Sequence, residues 1–329
     1  MRMQQQHTAH SPASLTRWSI GGPADAAASA GEGVVALTAD GLSDEARRGG
    51  AVVLGLHEAM VRDDLPRAPL VDVHVPSYRG KAFVTLLSWL VSRHLATEGG
   101  TAAWFLAKQQ GAGSLPALLT ALGWRDVSRA RTGRLYRIAG RPPVEVTPPQ
   151  PRTFAAQMDG HVLTFAADYG VFSPGHIDEG TAHLFDVALR QPHVSTIADV
   201  GVGYGPLALG LVRAGVADRA VATDVDSVAL WLAGRNAEAN DVPLDVVCST
   251  DPLEIEDTPL TVCNVPTHID VTRTTALMRG LARRTSGGHR LLAVVHASLE
   301  ERYVRHLADV GLTARRHPGK SHVVLEADG

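Results

Sequence analysis

The sequence has few cysteines and no long apolar run, and both absences narrow the class of protein. Cys248 and Cys263 are the only cysteines among 329 residues. They are too few for a disulfide framework, and their strand-like surroundings predict buried free thiols. No stretch reaches the roughly 18 consecutive apolar residues that a membrane helix needs. The starting segment MRMQQQHTAH has no apolar stretch of the kind found in secretory signals. We therefore expect a cytoplasmic protein that does not engage a membrane.

Metal-binding signatures and a global basic field are absent as well. The 15 histidines show no H-E-x-x-H or comparable ligand spacing, which predicts no metal site. The net charge of −3 gives no overall attraction to nucleic acid, although residues 1–160 carry 17 Lys and Arg against 13 Asp and Glu. Arginine concentrates near the end of this half, at Arg125, Arg129, Arg131, Arg134, Arg137, Arg141 and Arg152. This cluster fits a phosphate-facing patch and also an ordinary solvated face.

Composition divides the chain into four segments. Residues 1–32 are rich in Gln, Ala, Ser and Gly, which predicts a flexible tail. Residues 33–140 alternate strand-like and helix-like segments, which predicts a smaller α/β domain, although no glycine-rich loop directly follows a strand there. Residues 141–153 contain five prolines and predict a stiff linker. Residues 154–329 form the second domain.

Strands and helices alternate regularly through this second domain. Its principal strands are predicted at 196–200, 220–223, 244–248, 260–263 and 291–295. Two final strands, near 313–316 and 322–326, predict a closing antiparallel hairpin. The βαβα order predicts a Rossmann-like doubly wound sheet, which binds its ligands at the carboxyl ends of the strands.

The most specific motif follows the first of these strands. From Asp199 to Gly205 the sequence is D-V-G-V-G-Y-G, and Pro206 then begins a helix. Glycines at every second position, here Gly201, Gly203 and Gly205, allow a sharp turn and the close approach of a ligand, while the helix start offers free amides. A dehydrogenase fingerprint or a phosphate loop needs a different spacing. The pattern indicates binding of S-adenosylmethionine (SAM), and the alternative is a plain strand–loop–helix turn.

Acidic residues follow the next two strands. Asp224 ends the second strand, where a carboxylate can accept both ribose hydroxyls of a nucleoside, and Val225 beside it is assigned to the same cofactor site. Asp226 competes for the ribose role but suits the N-cap of the next helix better. After the third strand, Thr250 and Asp251 are candidates for the adenine amine, and both also suit the turn that follows.

The segment after the fourth strand reads C-N-V-P-T-H from Cys263. It resembles the active-site tetrapeptide, Asn-Pro-Pro followed by Phe or Tyr, of bacterial rRNA guanine-N2 methyltransferases of the small-subunit methyltransferase C type. In that family the Asn oxygen and a following backbone carbonyl accept hydrogen bonds from the target amine, and the aromatic ring stacks on the base. The resemblance implies that Asn264, Pro266 and Thr267 form the catalytic site and that Asn264 also borders SAM.

This resemblance covers roughly residues 35–329. The segment G-V-F-S from Gly170 to Ser173, with Asp178 and Thr181 after it, is similar to the one that precedes the SAM loop in the family. The similarity implies that Phe172, Asp178 and Thr181 contribute to cofactor binding.

The segment G-R-L-Y at 133–136 resembles the end of the family's amino-terminal half, a degenerate methyltransferase-like domain associated with holding RNA. The implied architecture is a class I SAM methyltransferase domain preceded by a degenerate α/β domain. The implied partner is rRNA or the small ribosomal subunit, and the implied state is a monomer.

Two departures from the family pattern leave alternatives open. Val265 replaces a proline and Thr267 replaces the aromatic residue, so the stacking platform is missing. Either Tyr204, Phe172 or Tyr169 takes its place, or the substrate is not a flipped guanine. The leading hypothesis is a SAM-dependent rRNA methyltransferase acting on guanine N2. The alternatives are a methyltransferase for a small molecule and an inactive SAM- or RNA-binding module.

Overall fold

The computed structural model describes residues 15–22, 31–42, 51–75, 79–266, 270–285 and 288–329. The chain divides into two compact units. Unit 1 comprises Met1–Ala36, Gly41–Leu54 and Glu58–Pro149, and unit 2 comprises Leu37–Asp40, Gly55–His57 and Gln150–Gly329. The last division, at Pro149, falls inside the segment 141–153 that composition indicates as a linker.

The first half of the chain builds a seven-stranded sheet. Its strands are β1 (Arg17–Ile20), β2 (Glu32–Ala36), β3 (Val52–Gly55), β4 (Ala68–His74), β5 (Ala96–Leu106), β6 (Arg125–Thr132) and β7 (Leu135–Arg141). Its helices include α1 (Leu56–Ala59), α2 (Lys81–Leu90) and α3 (Leu115–Ala121). The strand order is β3-β2-β1-β4-β5-β7-β6. β1 is parallel to β2 and β4, whereas β7 is antiparallel to β5 and β6.

Strand β1 lies inside the segment that was expected to be a flexible tail, so the prediction of a tail over 1–32 is wrong for these residues. Trp18 and Ile20 are fully buried, and the Trp18 indole Nε1 donates to the Pro66 carbonyl oxygen at 2.8 Å. Gly33 on β2 makes room for the ring, because a Cβ there would lie 2.4 Å from it. Four residues that alternate polar and apolar within an Ala- and Gly-rich stretch give too short a pattern to detect.

Other boundaries in unit 1 also differ from expectation. The sequence from Lys81 to Ala96 has the pattern of one long amphipathic helix, but α2 ends at Leu90 and continues as a π-helical turn over Val91–Leu95. Strand β6 was not predicted, because its residues are almost all exposed and carry no apolar alternation.

Unit 2 contains the hairpin β8 (Thr153–Met158) and β9 (His161–Ala166) and a second seven-stranded sheet. The sheet strands are β10 (Val194–Val200), β11 (Ala217–Asp224), β12 (Leu244–Cys248), β13 (Leu260–Asn264), β14 (Arg290–His296), β15 (Ala314–Pro318) and β16 (His322–Asp328). The helices are α4 (Glu179–Ala188), α5 (Pro206–Arg213), α6 (Ser227–Ala239), α7 (Val271–Thr285) and α8 (Glu300–Ala308).

The order of this second sheet is β12-β11-β10-β13-β14-β16-β15, the same as in unit 1. Strands β10 to β14 pair in parallel, and β16 closes the sheet antiparallel to β14 and β15. The predicted doubly wound sheet with a closing hairpin is therefore confirmed. None of the helices in the described ranges has the length and apolarity needed to cross a bilayer.

The register of the central strands brings three polar loops to one level. Val200 on β10 lies opposite Thr223 on β11 and opposite Cys263 on β13. Because the strands are parallel, the residue after each of these positions emerges at the same edge. Gly201, Asp224 and Asn264 therefore start from neighbouring points of the sheet.

Two asparagines, one in α6 and one directly after it, fasten the hairpin β8–β9 to the rest of unit 2. The Asn236 Oδ1 accepts from the Ala166 amide at 2.7 Å, and its Nδ2 donates to the carbonyl oxygens of Ala166 and Tyr204 at 3.0 and 2.8 Å. One turn later, Asn240 makes the same pair of bonds to the Thr164 backbone. Asn236 is buried and Asn240 is only half-buried. Water can therefore replace hydrogen bonds that are lost at Asn240 but not those that are lost at Asn236.

We predict that Asn236→Ala lowers the free energy of unfolding by about 2–4 kcal/mol, because the backbone groups of Ala166 and Tyr204 lose these side-chain hydrogen bonds in a buried site. Asn240→Ala is the matched control, and we expect it to cost about 1 kcal/mol or less because water reaches its site. Urea unfolding of both variants measures the difference. Equal losses of unfolding free energy in the two variants would show that burial does not determine how much these hydrogen bonds stabilise the fold.

Candidate active site

The glycine loop after β10 adopts a backbone that requires glycine. Gly201, Gly203 and Gly205 have φ values of +79°, +58° and +95°, a region that other residues reach only at a cost. The amides of Gly201 and Val202 donate to the Thr223 carbonyl oxygen at 2.8 and 3.1 Å, which binds the loop to the end of β11. A Cβ at Gly203 would meet nothing within 4 Å, so space is open beside the backbone there.

Helix α5 begins at this loop and is held by Asp199. Its first residue is Pro206, which suits the first helical position. The Asp199 carboxylate accepts from the Ala208 amide at 3.1 Å. Burial raises the pKa of the Asp199 carboxyl to about 7, with the nearby Asp224 charge adding to the effect. Asp199, predicted to be a cofactor residue, thus binds the amide end of the helix that supports the loop.

Asp224 is the acid closest to the loop. Its Oδ2 accepts from the Gly203 amide and its Oδ1 from the Asp226 amide, both at 2.9 Å. Burial raises the pKa of the Asp224 carboxyl to about 6, against the lowering effect of these two bonds. A carboxylate has about four acceptor positions, and the Val225 amide also contributes to this one, so part of the acceptor capacity remains for a ligand. The neighbouring Val225 is 44% exposed, as expected of a residue beside an open site.

The other acids of this edge serve mainly as helix caps. Asp226 caps α6 by accepting from the Val228 amide at 3.0 Å, as its position predicted. Asp251 accepts from the Leu253 amide at 2.9 Å and caps a short 3-10 helix. Thr250 beside it is exposed. The geometry therefore gives Asp251 a local structural partner and leaves an adenine contact by Thr250 or Asp251 as a prediction.

The segment between β9 and α4 contains backbone strain. Tyr169 and Ser173 have φ values of +59° and +49°, and strain of this kind clusters at ligand sites. The hydroxyl of Tyr204, in the glycine loop, donates to the His176 carbonyl oxygen at 2.9 Å and ties the two loops together. Sequence reasoning missed this contact and also the amide of Asn236, because both join residues that are far apart in the chain.

Only one of the three aromatic residues proposed to replace the missing stacking platform is available for stacking. Tyr169 and Tyr204 are 1% and 3% exposed, so neither presents a face to a base. Phe172 is 68% exposed. It is the residue of this set with a ring surface free to contact a ligand, whether SAM, as the resemblance implied, or the base.

Asn264 ends β13 and is held by the start of α4. Its Nδ2 donates to the Asp178 Oδ2 and to the Thr181 Oγ1, both at 2.9 Å. Asp178 caps α4 by accepting from the amides of Gly180 and Thr181 at 3.0 Å. A Cβ at Gly201 would lie 4.0 Å from the Asn264 carbonyl oxygen, so the glycine loop and Asn264 adjoin.

The rest of the tetrapeptide shows one consequence of its unusual sequence. The Val265 amide donates to the Val294 carbonyl oxygen at 3.0 Å, a bond that proline in this position cannot make. Val265 is buried and Pro266 is exposed beside it. Thr267, predicted to be catalytic, lies outside the described residues.

The cysteine and arginine predictions have mixed outcomes. Cys263 is buried, as expected, but Cys248 is only half-buried, so the prediction of two buried thiols is wrong for Cys248.

Six of the seven clustered arginines lie on or between β6 and β7 in unit 1, and all six are exposed. Arg129 lies over the Tyr136 ring at 4.1 Å, and Arg141 pairs with Asp126 at 3.3 Å. Within the described ranges, no group of three or more His, Cys, Asp or Glu residues is arranged to hold a metal.

These features fit SAM. Open space beside Gly203 and a half-buried carboxylate with spare acceptor capacity would form a site for a nucleoside. Asp224 would hold the ribose, and the glycine loop would allow the close approach of the amino acid part. Asn264 ends the adjoining strand, next to the glycine loop.

Comparison with known proteins places the chain among methyltransferases. Residues 162–308 match the family described as "Methyltransferase small domain". The ribosomal RNA small subunit methyltransferase C of Chromohalobacter salexigens is 33% identical over 249 residues, which are 67% of this chain and 67% of that protein. An uncharacterized protein of Bacillus subtilis is 32% identical over 119 residues, 36% of this chain and 58% of that protein. The Acinetobacter baumannii ribosomal RNA small subunit methyltransferase C is 32% identical over 120 residues, 36% of this chain and 33% of its own length.

Among solved structures, the T. thermophilus 16S rRNA N2 G1207 methyltransferase, in complex with AdoMet and guanosine, matches with a TM-score of 0.72 and 22% identity. The match covers 95% of this chain and 88% of that one. The identity is low, so this likeness establishes the fold, and it does so for nearly the whole chain.

We predict that Gly203→Ala weakens SAM binding by at least about tenfold, because a methyl group projects into the open space that the ligand needs and the left-handed backbone costs about 1–2 kcal/mol. Gly215→Ala is the matched control, since Gly215 also has a positive φ, +75°, with nothing within 4 Å of its Cβ position. Both variants should lose similar stability by thermal unfolding. Calorimetry should show weaker SAM binding in the first alone, and equal affinity in both would contradict the assignment of the loop.

The raised pKa of Asp224 predicts a pH-dependent affinity for SAM. Only the ionised carboxylate accepts both ribose hydroxyls, and with a pKa of about 6 it becomes protonated as the pH falls. We expect the Kd to rise by about tenfold between about pH 8 and about pH 5. Asp224→Asn should bind about 10- to 100-fold more weakly at high pH and should lose this pH step. Because the Asp224 charge raises the pKa of Asp199, any pH step that Asp199 contributes in the variant should shift to lower pH. An unchanged profile in the variant would remove Asp224 from the ribose site.

Proposed function

The chain belongs to the ribosomal RNA small subunit methyltransferase C family of SAM-dependent methyltransferases, and we propose that it methylates the N2 amine of a guanine in 16S rRNA. One observation carries the proposal: the side-chain amide of Asn264 is held at a strand end that adjoins the glycine loop of the SAM site. This position supports a role for Asn264 as an acceptor for an amine beside the site of the methyl donor. The relatives that act on rRNA supply the substrate class.

The residues of this edge mainly orient the reactants. SAM, when bound, supplies a methyl group on a positively charged sulfur, which needs no acid to leave. The Asn264 Oδ1 and a backbone carbonyl accept the two N–H groups of the amine, which leaves the nitrogen lone pair free to attack the methyl carbon. Transfer of the methyl group would leave the cofactor as a neutral thioether, and the methylated nitrogen would release one proton to water. Alignment and exclusion of water provide most of the rate.

The charge of the hairpin β6–β7 favours RNA as the substrate. Six exposed arginines on one hairpin, with a single aspartate partner among the described residues, give a local positive field in a chain of net negative charge. The Arg129–Tyr136 pair adds an aromatic surface of the kind that bases stack on. We further propose that the protein acts in the cytoplasm as a monomer on RNA of the small ribosomal subunit.

Transfer of label from methyl-tritiated SAM tests the proposal. Small-subunit particles, naked 16S rRNA and a small-molecule extract, all from cells that lack the protein, serve as parallel substrates. Label in 16S rRNA, located at the N2 of one guanine by nuclease digestion, is the expected result. Label in the small-molecule fraction alone would assign the enzyme to metabolites, and SAM binding without label in any fraction would identify an inactive module.

We predict that Asn264→Ala binds SAM within about twofold of the wild-type affinity and loses at least about 100-fold in methyl transfer, because the amine loses an acceptor in the reacting geometry. Calorimetry measures the first quantity and the tritium assay the second. Full activity in this variant would exclude Asn264 from the mechanism.

A further inference from the structure

The Asn264 amide group has a defined orientation in this structure. Asp178 Oδ2 and Thr181 Oγ1 both lie 2.9 Å from its Nδ2. A carboxylate only accepts hydrogen bonds, so the atom of Asn264 that faces Asp178 must be the donor nitrogen. Among the described residues, no donor reaches the Oδ1 on the other side of the amide.

The protons of this cluster are fully accounted for. Thr181 donates its single hydroxyl proton to Asp178 Oδ2 at 2.6 Å and therefore accepts from Asn264. The two protons of Asn264 Nδ2 are then used, one by each partner. The Asn264 side chain has no proton left to offer to a substrate, and its Oδ1 is left to accept.

We propose that Asp178 and Thr181 are positioning residues that lock the Asn264 amide so that the site accepts only an N–H donor as the methyl acceptor. This inference rests on the proposed function and deepens it. A ring nitrogen without a hydrogen, such as guanine N7, or a carbonyl oxygen carries only lone pairs and finds no hydrogen-bond donor on this side chain. An exocyclic amine satisfies the Oδ1, so the lock selects the class of atom that is methylated.

Asp178 remains charged under working conditions, which keeps the lock in place. Burial raises the pKa of its carboxyl, but hydrogen bonds from Thr181 and Gly180 and the positive influence of His322 outweigh this effect and hold the pKa below its ordinary value. The carboxylate also lies at the amino end of α4, where a negative charge is favoured. The same group thus caps the helix and fixes the amide.

Exchange of the two partners tests the lock. Asp178→Asn keeps an effective N-cap but offers Asn264 an amide that favours the reversed orientation, and Asn264→Asp places two carboxylates together. We expect each single variant to lose at least about tenfold in kcat, with the KM for SAM changed by less than about threefold. The double variant D178N/N264D again pairs one hydrogen-bond donor with one acceptor at these two positions, and its kcat should recover to within about fivefold of wild type.

Glu179→Gln is the matched control. It removes a negative charge from the same end of α4, but Glu179 is exposed and bonds to Ser321, away from Asn264. Its kcat should stay within about twofold of wild type. Full kcat in Asp178→Asn, or a double variant no better than its parents, would overturn the proposal, because a purely structural cap predicts no rescue.

A second readout does not depend on the RNA substrate. The side-chain amide of Asn264, assigned from its disappearance in Asn264→Asp, should give two shifted and slowly exchanging proton signals in 15N–1H spectra of the wild type, and Asp178→Asn should remove this protection. If RNA is not labelled but the protected signals are present, the proposed function fails and the lock stands. If RNA is labelled but the amide signals are those of a free side chain, the lock fails alone.

Discussion

The parallel register of β10 with its two neighbours is the constraint on which the candidate site depends. Val200 lies level with Thr223 and with Cys263, so a glycine, an acid and an asparagine leave the sheet side by side. A shift of one residue in either pairing would turn the side chains to the other face. The apolar strands thus fix the distance between donor and acceptor sites before any ligand binds.

Two acids of the site lower the stability of the folded state at neutral pH. The pKa values of Asp199 and Asp224 are raised to about 7 and about 6, so the folded state binds protons more tightly than the unfolded chain does. Their contribution to stability is fully present below the pKa that they have in the unfolded chain, and it is lost as the pH rises through the pKa that they have in the folded state. Both acids nevertheless have local structural roles, because Asp199 anchors α5 and Asp224 binds the amides of Gly203 and Asp226.

Local patterns predicted the parts of the structure that depend on local sequence. The glycine loop, Asp224, the Asp226 cap and the closing hairpin each follow from a few adjacent residues. Strand β1 was missed because four residues carry too little periodicity. The bond from Asn264 to Asp178 joins residues 86 positions apart, and no spacing rule encodes it. The resemblance placed Asp178 near SAM, whereas its observed partners are the helix start and Asn264.

The same strand order occurs in both units, but the D-x-G-x-G-x-G pattern occurs only in unit 2. For protein engineering, this chain therefore contains its own reference scaffold: properties common to both sheets belong to the topology, and properties of unit 2 alone belong to its loops. A transplant of the site onto another sheet of this order would need the supporting amide of Asn236 and the carboxylates of Asp178 and Asp199 as well as the glycines. The strands themselves could be exchanged for any that keep the register.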